Sequence, residues 1–80
     1  MLQTLVKTVS VALDDQTIAV RYFERLTERG ARRYSVEILL GPEDRIILDG
    51  DSVPTLEART ARLVPATIYS RALVARATAA

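Results

Sequence analysis

Near Gly50 the apolar residues stop recurring at every second position and begin to recur at every third or fourth. Ile18, Val20 and Tyr22, then Tyr34, Val36, Ile38 and Leu40, recur at every second position. Beyond Gly50 apolar residues recur at helical spacing, among them Leu56, Leu63, Ile68, Tyr69 and Leu73. A strand turns successive side chains to opposite faces, whereas a helix stacks positions three and four apart. The chain is therefore expected to be α+β: a four-stranded antiparallel meander sheet followed by a C-terminal helix packed on one face.

The strands are expected at about Leu5 to Leu13, Thr17 to Thr27, Arg32 to Leu40 and Arg45 to Leu48. In the first, Val9, Val11 and Leu13 share one face. Lys7 falls on that same apolar parity, so the strand either starts after it or carries a bulge there. Asp14-Asp15-Gln16 suits a turn, because Asp bonds its own backbone. Gly30 supplies a positive φ to the next turn, Glu28 to Ala31, at little cost. Pro42 presets φ in Gly41-Pro42-Glu43-Asp44. Three connections this short exclude parallel pairing, which needs a crossover of a dozen or more residues.

Asp49-Gly50-Asp51-Ser52 marks the switch to helix. Ser52 or Asp51 suits the cap, and Pro54 in the first turn forfeits no hydrogen bond. Pro65 is different, because in a helix interior it deletes one bond and crowds the Ala61 carbonyl, at about 3 kcal/mol. The tail is thus expected to be kinked or broken at Val64–Pro65, as two helical pieces of about 52–64 and 66–76. Thr78 to Ala80 are expected to fray.

The expected apolar sheet face runs from Val9 and Val11 through Ile18, Val20, Tyr22 and Leu26 to Tyr34, Val36, Ile38 and Leu40, then Ile46 and Leu48. A helix of about 12 residues is about 18 Å long and covers roughly three strands at 4.8 Å spacing. The rest calls either for the second helical piece or for a second subunit. A homodimer is expected, since twofold assemblies are the commonest solution. Its candidate interface residues are Ile68, Tyr69 and Leu73.

Eighty residues form one small domain, 1–80, and a stability of roughly 4–12 kcal/mol is typical of that length. Cysteine and histidine are both absent. Disulfides, thiolate chemistry, ordinary zinc sites and histidine bases are thereby excluded. The formal net charge of +1 supplies no overall field for nucleic acid or membrane. The start, Leu2 to Lys7, is too short and polar for a signal peptide, and no apolar run approaches the roughly 20 residues of a membrane span. A cytoplasmic protein without cofactor is expected.

Ten of the eleven cationic residues are arginine. Arginine suits bidentate phosphate or carboxylate pairing and stacking on rings, although a G+C-rich coding bias explains the same excess. Arg21, Phe23, Arg25 and Arg33 share the parity opposite the apolar face, together with Ser35. An aromatic among guanidiniums is the pattern of a single-stranded nucleic-acid platform, where stacking contributes about 1–3 kcal/mol per base. The competing reading is a solvated face whose arginines pair with Glu37, Glu24 or Glu28 at about 0–1 kcal/mol each.

Other groups carry weaker chemistry. Glu43, Asp44, Asp49 and Asp51 offer hard oxygen ligands without the spacing or closing Glu of a calcium loop, so no metal is assigned. Asp14 and Asp15 are paired acids, but they are expected in an exposed turn, where no acid–base role is assigned to them. Glu24 sits on the apolar parity beside Tyr22 and Leu26, where burial would raise a carboxyl pKa into the range of a general acid. Arg59, Arg62, Arg71 and Arg76 make the tail basic, with Glu57 its only acid after Asp51.

The order strand–strand–strand–strand–helix is similar to that of the positive cofactor 4-like family of single-stranded-DNA-binding transcription cofactors. There a curved antiparallel sheet is followed by one helix that dimerises. The resemblance covers element order and no motif, and it departs in charge, since DNA-binding members are more basic. The leading expectation is a small non-enzymatic interaction module that dimerises or binds another protein. The alternative is a single-stranded nucleic-acid binder. A third is a ligand or enzymatic site between subunits, using Glu24 and a tyrosine.

Overall fold

The computed structural model describes residues 3–13 and 15–79. Four strands, β1 (Gln3–Leu13), β2 (Gln16–Leu26), β3 (Arg32–Gly41) and β4 (Asp44–Gly50), are followed by one helix, α1 (Val53–Ala79). The sheet is antiparallel throughout, in the order β1-β2-β3-β4. It is the expected α+β meander with a helix on one face.

Local chemistry accounts for the connections. Leu13 pairs with Gln16 across the first turn, in which Asp15 is exposed and Asp14 lies outside the described residues. In the second, Gly30 adopts φ 80° and its N–H donates to the Thr27 carbonyl at 2.9 Å. Gly41 pairs with Asp44 around Pro42–Glu43. β1 is bulged between Leu5 and Lys7. The extra residue, Val6, reverses the parity of the strand, so Leu5 faces away from the core while Lys7 lies opposite Tyr22 on the core side.

Ser52 caps α1, its hydroxyl accepting from the Thr55 N–H at 3.3 Å while its carbonyl accepts from Leu56. The helix then runs through Pro65 without a break, contrary to the two pieces expected. Pro65 deletes one backbone bond, but the chain is held on both sides of it. Val64 is buried before it, and Ile68 packs on the core after it. Packing of an amphipathic face supplies most of a helix's stability, and here it outweighs the defect. The helix also includes Thr78, expected to fray, whose hydroxyl donates to the Val74 carbonyl at 2.9 Å. Ala80 lies outside the described residues.

The core comprises Ile18, Val20, Tyr22, Val36, Ile38, Leu56 and Val64. α1 lies closest to β3 and β4. Two residues expected in this core are not in it. Leu26 is 54% exposed, because it extends past the row of Glu24, Tyr34 and Gly50 where the helix begins. Val9 is 38% exposed, because edge strand β1 lies beyond the width of the helix. The radius of gyration is 14.6 Å, against about 12 Å for a compact chain of this length. The excess comes from α1, about 40 Å long by its 27 residues.

Candidate functional site: an uncovered apolar flank and an arginine face

The sheet presents two faces, and each holds a candidate site. On the helix-bearing face, α1 leaves a groove along its β1 side. Val9, Val11, Leu13 and Tyr22 form one wall, and Thr60, Ala61, Val64 and Pro65 form the other. Its volume is about 340 Å³. The groove opens to solvent along one side, so it is a surface groove and not an enclosed packing defect.

One end of the groove is polar. Lys7 Nζ donates to Glu57 Oε2 at 2.8 Å and lies 5.2 Å from the centre of the Tyr22 ring. Its stem thus crosses apolar surface while its charge is paired at the rim. Inside, the Thr60 side chain is 4% exposed and its hydroxyl has no hydrogen-bond partner.

From Tyr69 onward every residue through Thr78 is exposed. Tyr69 and Leu73, one helical turn apart, are 66% and 45% exposed, and Val74 is 63% exposed. Of the three interface candidates, Ile68 instead packs on the core of its own chain. A clamp ties this end to the sheet: Arg71 Nη2 donates to Asp44 Oδ1 at 2.7 Å, and Nε bonds the other oxygen. The Arg71 hydrogen bond holds the Asp44 carboxyl below its ordinary range, desolvation opposes this, and the charge of Arg71 adds to it.

The opposite face carries Arg21, Phe23, Arg25 and Arg33 together. Arg25 stands directly across from Arg33, and Phe23 across from Ser35 and Leu5. Two guanidiniums in direct opposition repel, and acids relieve them. Arg25 lies 3.7 Å from Asp49 and Arg33 pairs with Asp51. Arg21 lies 3.7 Å from Glu37, which also accepts from Arg45 at 3.0 Å. Each candidate arginine thus has a carboxylate beside it, two of them, Asp49 and Asp51, from the end of β4 and the residue just beyond it. Phe23 is half-buried, and the buried Arg25 Nε has no partner.

Glu24 is half-buried and 3.9 Å from Arg32, and it lies opposite Tyr34, away from the groove walls. Asp44, Asp49 and Asp51 each face an arginine, and among the described residues no three metal-ligating side chains converge. Among the described residues, no helix is long and apolar enough to cross a membrane.

The groove and the Asp44–Arg71 clamp were not foreseeable as sites, since both join residues far apart in the chain.

No protein-family model matches this chain, and no curated protein or solved structure matches it. The similarity to the single-stranded-DNA-binding cofactors accordingly rests on element order.

Proposed function

We propose that this protein is a small, non-enzymatic interaction module of the cytoplasm that works as a homodimer. One observation carries the reading: the C-terminal end of α1 presents Tyr69, Leu73 and Val74 to water. A helical segment of about ten residues is marginal in water alone, because helices depend on tertiary packing. An apolar stripe on such a segment gains by burial against a partner, at roughly 25 cal/mol per Å². The expected sedimentation mass at micromolar concentration is twice 8.8 kDa. A mass of one chain under those conditions refutes the homodimer.

A second reading, single-stranded nucleic-acid binding, is favoured by one arrangement: Phe23 lies among Arg21, Arg25 and Arg33 on the uncovered face of the sheet. For bases to stack there, phosphates must displace the carboxylates that now pair with the guanidiniums. Such binding weakens steeply with salt, because phosphate contacts release counterions. It is expected to vanish in Arg21→Glu plus Arg25→Glu. Equal oligonucleotide binding by that variant and the parent refutes this reading.

A further inference from the structure

We infer that two copies exchange helix tails, each tail lying with Tyr69 and Leu73 in the groove between β1 and α1 of the other. The inference rests on the homodimer proposed above and specifies its contact. The groove and the tail complement each other in chemistry. The groove is walled by Val9, Val11, Leu13 and Val64, with Tyr22 at its polar end, and is large enough to be wetted when empty. The tail offers an apolar stripe, Tyr69, Leu73 and Val74, that its own chain leaves in water, while Arg71 on Asp44 fixes how the helix lies on its own sheet.

Charge favours the same occupant. After Glu57 the helix carries arginines and no carboxylate, whereas the β1–β2 turn at one end of the groove bears Asp14-Asp15 in sequence, with Asp15 exposed. A tail entering at that end brings Arg76 toward acid. Symmetry completes the argument: groove and tail belong to one chain, so a twofold pair fills both grooves and covers both tails in one closed contact.

The chain contains no cysteine, so single cysteines can be introduced as reporters. Copies bearing Val11→Cys are mixed with copies bearing Leu73→Cys under mild oxidation. A link between the two variants is then necessarily intermolecular, and the expected product has twice the mass of one chain. Copies bearing Ile47→Cys, on the other sheet face, are expected not to link to Leu73→Cys. The full-length variant Leu73→Asp is expected to weaken dimerisation by about 30-fold or more, the scale of an interface hot spot. Its fold should persist, since Leu73 is already exposed.

A dimer without the Val11–Leu73 link, but with Val6→Cys copies linking to one another, indicates edge-to-edge pairing of β1. That outcome overturns the tail exchange and leaves the dimer standing. A monomer overturns both. A monomer that binds anilinonaphthalene sulfonate, with binding lost in Val11→Asp, instead assigns the groove to a small apolar ligand.

Discussion

Arg71, past the midpoint of the helix, grips the Asp44 carboxylate at the start of β4 with two hydrogen bonds, one of them 2.7 Å long. The pair ties the helix beyond Pro65 to the β3–β4 turn. It thereby fixes how the helix lies on the sheet.

Because this contact holds the Asp44 carboxyl below its ordinary value near 3.9, its contribution is present above that value. It is lost as pH falls through the lower, folded value. The thermal midpoint of the protein is therefore expected to drop on acidification below about pH 4. Asp44→Asn should shrink that drop and speed amide exchange in residues 66–76 at neutral pH. An unchanged acid slope together with unchanged exchange removes the clamp from the account.

Gly50 closes β4 where the helix begins. A Cβ placed there would stand 3.0 Å from Leu56 Cδ2 and 3.1 Å from its Cγ, and Leu56 is fully buried. A crowded side chain with no room to retreat makes the substitution an overpacking. Gly50→Ala is expected to lower stability by about 1–3 kcal/mol in urea titration. A neutral result means that Leu56 can shift.

The Thr60 hydroxyl is buried without a partner. Leaving such a group unsatisfied costs about 1–3 kcal/mol, whereas an apolar group of the same shape carries no such penalty. Thr60→Val is thus expected to raise stability by about 1 kcal/mol, seen as a higher thermal midpoint. A lower midpoint means the hydroxyl is satisfied.

Pro65 is exposed and interrupts the backbone bonding of an otherwise regular helix. Pro65→Ala restores an N–H facing the Ala61 carbonyl and relieves the crowding. The expected gain is about 1–3 kcal/mol, read as a rise in the urea midpoint. No gain means that the ring's contacts in the groove offset the lost bond.

Much of the architecture was legible because it follows from local rules. Alternation from Ile18 to Tyr22 and from Tyr34 to Leu40 placed two central strands, and Gly30 and Pro42 located two turns. Of the two candidate caps, Ser52 and Asp51, the structure uses Ser52, and of the two readings of Lys7, a late strand start or a bulge, it has the bulge. The break considered at Pro65 is absent, because the intrinsic penalty is local while the packing of Val64 and Ile68 that overrides it is not. Leu26 and Val9 misled for a related reason: periodicity reveals which face a residue points to, and not whether anything covers that face. The four residues of the arginine face were grouped correctly by parity, yet two of their partners, Asp49 and Asp51, come from a different strand end.

The amino-acid sequence alone determined the element types, the antiparallel order and the parity of the two central strands. Those depend on periods of two and 3.6 residues and on turn chemistry within a few positions. Tertiary structure alone decided the continuity of the helix, its clamp at Asp44, the open flank of β1 and the projecting stripe of Tyr69 and Leu73. Each of these depends on where a helix of about 40 Å comes to lie across the sheet, a distance between residues far apart in the chain that no local pattern encodes.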